Sequence, residues 1–142
     1  MNGEKIEERL FQLVKSYKSE LGINGNVYYR GLRPIKENSS QYKEDAVVAF
    51  LSGSSGDVQQ GSCVINVYVS DVLGARSGLY LKNKERCEHI AEVLERFASF
   101  ANKNESELFF KQSEVTYTFA EEELHQHYVS LKLDFKVFNT NY

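Results

Sequence analysis

The stretch from Val129 to Val137 constrains the fold more than any other part of the chain. Val129, Leu131, Leu133, Phe135 and Val137 alternate with Ser130, Lys132, Asp134 and Lys136. A period of two places the five apolar side chains on one face of an extended strand and the four polar ones on the other. Such a strand lies against a core on one side only, which predicts a sheet with one packed face. A chain of 142 residues has room for one core of this kind, so residues 1–142 are expected to form a single domain.

The remaining elements are read around that strand. Ser62 to Ser70 repeats the alternation, with Cys63, Ile65, Val67 and Val69 opposed to Val64, Asn66 and Tyr68. Ala46 to Leu51 precedes it as a short apolar run, and the two are expected to form a hairpin. Their connection, Ser52 to Gly61, is longer and more polar than a tight turn needs, which suggests a protruding loop. Asn26 to Arg30 reads as a further short strand, closed by Gly31 and Pro34. Leu108 to Phe119 reads as a strand carrying Phe109, Val115, Tyr117 and Phe119 on one face, and Glu121-Glu122-Glu123 as the turn after it. Lys36 to Glu44 and Asp71 to Lys82 read as loops.

Two segments have the helical period. From Glu4 to Leu21, Ile6, Leu10, Leu13, Val14, Tyr17 and Leu21 recur at three- and four-residue steps, and Gly22 supplies a left-handed stop. Asn83 is placed to cap a second helix running to about Lys103, with Cys87, Ile90, Ala91, Leu94, Phe97, Ala98 and Ala101 as its stripe. The expected architecture is α+β, in the order α-β-β-β-α-β-β, with both helices on one face of an antiparallel sheet.

Composition narrows the function classes. A net charge of −3 with scattered basic residues argues against nucleic acid as the main partner. Apolar runs such as Asp45 to Leu51 fall far short of a membrane span of roughly 20 residues, and no apolar segment follows the first five residues as in a signal peptide. An intracellular protein is expected. Cys63 and Cys87 lack a CxxC spacing and read as two buried free thiols. Nine Tyr and nine Phe without Trp suit a sheet with ring surface to spare for a partner.

Little in the chain points to chemistry. Glu123, His125 and His127 are two apart, so on an extended strand they would share a face and could reach one metal ion. The same face continues into Val129 and Leu131, however, so the histidines equally fit the wet end of a core stripe. His89 beside Glu88 and Glu92 reads as a solvated helix residue. Ser52-Gly53-Ser54-Ser55-Gly56 lacks the Gly-Lys-Ser/Thr ending of a phosphate loop, and no Gly-x-Ser-x-Gly elbow occurs. No catalytic residue and no cofactor is expected. Within the Ser52 to Gly61 loop, Asp57, Gln59 and Gln60 are the candidate partner-binding groups.

In order and pattern the chain resembles the tail-completion, or tail-terminator, proteins of long-tailed bacteriophages and prophages. The resemblance rests on the opening helix, Val27-Tyr28-Tyr29 near Arg33-Pro34, and the strand pair Asp45 to Phe50 and Val64 to Val69. The helix after Asn83 and the closing Leu133-Asp134-Phe135-Lys136-Val137-Phe138 complete it. It implies a non-catalytic subunit forming a ring, commonly hexameric, at the head-proximal end of the tail and meeting the tail tube and head connector. It further implies a protein that is cytoplasmic during assembly and then part of the virion. Two alternatives stand beside it: a small bacterial ligand- or peptide-binding module, and a metal-dependent enzyme using His125 and His127.

Overall fold

The computed structural model describes residues 1–138; residues 139–142, counted above in the single domain, lie outside the described part. The fold is α+β. Helix α1 (Gly3–Leu21) begins where the Asn2 side chain accepts a hydrogen bond from the Lys5 N–H at 2.8 Å and ends at Gly22, whose φ of 67° only glycine adopts without strain. Strand β1 (Val27–Tyr29) is followed by a 3-10 turn at Ser39–Gln41. Strands β2 (Ala46–Ser54) and β3 (Gln60–Ser70) form the expected hairpin. Half of the predicted loop, 52–54 and 60–61, belongs to these strands, so the tip spans only 55–59.

The Asp71 to Lys82 segment is not a plain loop. It folds into a separate two-stranded ribbon of β4 (Val72–Leu73) and β5 (Tyr80–Leu81). The second predicted helix is two helices, α2 (Lys84–Leu94) and α3 (Phe97–Asn104), with a tight turn at Glu95 and Arg96 between them. Phe97, fully buried, follows the turn directly, and α3 then packs against the next strand. The predicted strand from Leu108 to Phe119 is likewise two, β6 (Leu108–Gln112) and β7 (Tyr117–Glu121). Both lie in succession along the same side of β8 (Gln126–Val137).

The sheet order is β1-β2-β3-β8-β6, with β7 also paired to β8. All pairings are antiparallel except the first: β1 runs parallel to β2, so the sheet is mixed and not wholly antiparallel. The chain reaches β2 from β1 through residues 30–45, long enough to return to the same end of the sheet. Strand β8 is central, with Leu133 opposite Cys63 and Leu131 opposite Ile65.

The helices cover one face. Ile6, Leu10 and Leu21 of α1, Ile90 and Leu94 of α2 and Phe97 of α3 meet Ile65, Val67, Leu131, Leu133 and Phe135 in one buried cluster. Each fully enclosed side chain of this size contributes about 1.5–3 kcal/mol. Tyr17 meets Phe97 edge to face at 5.3 Å and donates its hydroxyl to the Val93 carbonyl at 2.7 Å. The β2–β3 register shifts between Phe50 and Ser52, and the Glu7 carboxylate accepts the Phe50 N–H at 2.8 Å. Just beyond, Gly61 lies where a Cβ would meet the Ser52 carbonyl at 2.0 Å, so no larger residue fits. Both cysteines are free and buried, as the spacing predicts. No helix among the described residues is long and apolar enough to cross a membrane.

Candidate functional site

The face of the sheet turned away from the helices carries the candidate site. One end of it is closed by the chain between β1 and β2. Arg33, with its side chain only 10% exposed, donates Nε to Asp45 Oδ2 at 2.9 Å, one terminal nitrogen to Gln126 Oε1 at 3.0 Å and the other to the Lys43 carbonyl at 3.1 Å. Its guanidinium carbon also lies 4.6 Å from the Tyr42 ring centre and 4.1 Å from that of Tyr68. The planar fork is satisfied on all sides, so this cation is a clamp and not a free binding group. Nothing local in the sequence marks Arg33 beyond its Arg-Pro pair, because its partners lie 12 and 93 positions away.

From Tyr68 the rings continue across the sheet. Tyr68, Tyr128 and Phe119 are directly opposite one another on β3, β8 and β7. Their ring centres are 5.2 and 5.4 Å apart, and Tyr117 follows Phe119 at 5.0 Å. Burial pushes the Tyr68 phenol up in pKa, while the Arg33 charge pulls it down. The far end of this ladder has no cover among the described residues: Val115 is 80%, Tyr117 64% and Phe119 44% exposed. These residues, with Leu51 and Val64, edge a groove of about 450 Å³. Asn66 Oδ1, on the same face, is buried without a hydrogen-bond partner among the described residues.

A second, wider groove of about 1170 Å³ opens beside it, between Phe109 and Phe138, with Lys111, Asp134 and Lys136 along its floor. The sequence predicts Phe109, Val115, Tyr117 and Phe119 on one face. That face is the open one, because Leu108 and Phe110 are the residues of β6 that enter the core.

The predicted partner-binding residues of the hairpin differ from one another. Asp57 is exposed at the tip. Gln59 is engaged within the chain: the Met1 ammonium donates to its Oε1 at 3.1 Å, its amide donates to the Met1 carbonyl, and its own carbonyl accepts from Val137. Gln60 is an exposed strand residue paired with Ser54 and Lys136. The tip also has an apolar residue, Val58, which is more than half exposed.

The shared face expected for Glu123, His125 and His127 does not form. Glu123 lies in a 3-10 turn over Glu122–Leu124, and His125 adopts a left-handed φ of 52°, which breaks the extended alternation. The His125 ring stacks on Tyr80 at 3.7 Å, and His127 Nδ1 lies 2.6 Å from Asp71 Oδ1. The local reason is the turn itself, which must reverse the chain between β7 and β8 and uses His125 as its left-handed stop. Among the described residues no three His, Cys, Asp or Glu side chains are grouped to hold a metal ion.

No protein-family model matches the chain, and no curated protein matches it.

Proposed function

We propose that the chain is a structural subunit that acts through protein–protein contact, in the manner that the resemblance to tail-terminator proteins implies. In this reading it forms a homo-oligomeric ring at the head-proximal end of a phage-type tail and meets the tube and the connector. It is made in the cytoplasm and ends in the virion. It uses no cofactor, catalyses no reaction and binds neither nucleic acid nor membrane.

The observation that carries the reading is the exposed aromatic end of the sheet, Val115, Tyr117 and Phe119, on a face that no helix among the described residues packs against. Contiguous exposed apolar surface marks interaction sites in soluble proteins, and aromatic side chains dominate the buried centres of interfaces. Sedimentation velocity over a range of concentrations tests it. A ring former sediments as a defined multiple of 16.3 kDa, and Tyr117→Asp on the exposed face reduces that mass. A wild-type chain that stays monomeric alone and does not co-sediment with tail-tube subunits overturns the reading.

A second reading, a module that binds a small ligand or peptide, is favoured by the wider groove, where Phe109 and Phe138 could grip an apolar group while Lys111 and Lys136 meet an acidic one. Binding saturating at one ligand per chain with no change in mass supports this reading over the first.

A further inference from the structure

Strand β7 has an open outer edge. Along β8 the even-numbered residues turn their backbone groups toward β6 and β7: the Lys132 carbonyl accepts the Ser113 N–H, and the Phe138 N–H donates to the Glu107 carbonyl. Tyr128 and Ser130 are therefore bonded to Phe119 and Tyr117, their register partners. Alternation then directs the N–H and C=O of Thr118 and Ala120 outward, away from β8. None of these four groups has a hydrogen-bond partner among the described residues. Strand β6, on the same side of β8, differs, because the Asn102 side chain takes both the N–H and the C=O of its outward residue Phe110. One outer strand is sealed and its neighbour is ready to accept another strand.

The side chains beside this edge differ between the two faces of the sheet. On the open face Val115, Tyr117 and Phe119 are exposed and Glu121 ends the row. On the other face Ala120 and Glu122 line a pocket of about 420 Å³ with Leu79 and Tyr80 of the ribbon, beside the Asp71–His127 pair. An antiparallel strand added to β7 sends alternate side chains to these two faces. Opposite Tyr117 and Phe119 it meets rings, and opposite Glu121 it meets a carboxylate. Opposite Ala120 its side chain enters the pocket that holds Glu122. Glu95, Glu114, Glu121 and Glu122 make no ion pair among the described residues, and they outnumber Lys132, which shares a groove with Glu114.

These carboxylates argue against a second β7 as the occupant. In an antiparallel pair of β7 strands centred on Phe119, Glu122 of each stands opposite Thr116 of the other, whose hydroxyl donates to Glu95 at 2.9 Å. Centred on Thr118, Glu122 stands opposite Glu114; centred on Ala120, the two copies of Glu121 are diagonal neighbours on one face. Like charges so placed disfavour the pair, and the same charges favour a strand of opposite sign. We propose that the open edge of β7 receives an extended segment of a different protein by antiparallel strand addition, basic opposite Glu121 and Ala120 and apolar opposite Phe119 and Tyr117. This goes beyond the assembly reading, since the strand joins in the plane of the sheet whereas copies of the chain meet on its face.

Nuclear magnetic resonance on the full-length chain tests it, with the capped peptide Ser-Lys-Arg-Val-Thr-Val-Ser as probe. Binding should shift the amide signals of Thr118 and Ala120 and slow their exchange with solvent. In the added strand the Arg and Thr N–H groups face β7, so methylating those two nitrogens should weaken binding about tenfold. Methylating the two Val nitrogens, which face away, should leave binding intact. Glu121→Lys should weaken it about fivefold, and the peptide Ser-Glu-Glu-Val-Thr-Val-Ser should not bind. Shifts confined to Phe109, Lys111 and Lys136, equal binding of both methylated peptides, or no binding of the basic peptide overturns strand addition. Slowed exchange at Thr118 and Ala120 as the chain is concentrated without peptide gives the edge to a second copy and overturns the choice of partner. Sedimentation of the chain alone checks the assembly reading separately, so the failure of either is seen without the other.

Discussion

Asn102 holds both backbone groups of Phe110: its side-chain amide donates to the Phe110 carbonyl at 2.8 Å and its Oδ1 accepts the Phe110 N–H at 2.8 Å. An amide side chain from α3 thus stands where a neighbouring strand would be, and it closes the outer edge of β6 against pairing. Asn102→Ala should cost about 2–3 kcal/mol, from two hydrogen bonds and a backbone donor left without a partner. The same variant should aggregate faster near its melting temperature than wild type. Urea denaturation and light scattering check the two effects separately, and a midpoint unchanged within error would show that the edge does not need the side chain.

Leu133 is completely enclosed at the centre of β8, opposite Cys63 and beneath the helices. Leu133→Ala should therefore destabilise the fold by about 2–5 kcal/mol. Lys132→Ala, one residue away on the open face, should stay within about 0.5 kcal/mol of wild type. The contrast between neighbours, read by chemical denaturation, is the check.

Arg33 and Asp45 form an ion pair in which both side chains are nearly buried. Removing the cation leaves the Asp45 carboxylate enclosed without a counter-charge, so Arg33→Ala should cost about 3–5 kcal/mol. Arg33→Lys keeps the charge but loses the fork that reaches Gln126 and Lys43 together, and it should recover only part of the loss. Proteolysis between residues 34 and 44 should accelerate in both variants, because the clamp fixes that segment to the sheet.

Burial pushes the Cys63 thiol up to about 12 from its ordinary 9.0, and burial also raises Cys87. A raised thiol pKa means that above pH 9 the unfolded chain loses its proton while the folded chain keeps it. Stability from this source is complete below pH 9 and declines as pH rises toward 12, by up to about 1.4 kcal/mol per pH unit for Cys63. Cys63→Ala should flatten that part of the alkaline slope, whatever its own cost near neutral pH. A thiol reagent at pH 8 should label neither cysteine in the native protein and both after unfolding.

What the amino-acid sequence determined by itself was periodicity. The stripe of Ile6, Leu10, Leu13, Val14, Tyr17 and Leu21 is buried along α1, and the alternations in β3 and β8 put Ile65, Val67, Leu131 and Leu133 inside. These patterns are local, written in steps of two or of three and four, so they can be read without knowing what the element touches. The splitting of the second helix at Glu95 and Arg96 left no such trace, because Cys87, Ile90, Leu94, Phe97 and Ala101 keep helical spacing across the break. The β4–β5 ribbon leaves no trace for the opposite reason, since runs of two residues are too short to show alternation.

The tertiary structure alone decided which strands pair and which face is left open. The parallel seating of β1, the insertion of β8 between β3 and β6, and the Arg33 clamp join residues far apart in the chain. Nothing in the alternation of Phe109, Val115, Tyr117 and Phe119 states whether that face meets a core or a solvent. Helices α1, α2 and α3 all pack on the side of Leu108, Phe110 and Phe135, and once that side is filled the Val115–Phe119 end of the aromatic side has no cover among the described residues. The open ledge is thus a consequence of how many helices there are and where they dock, which depends on packing over the whole sheet and not on the order of residues within one strand.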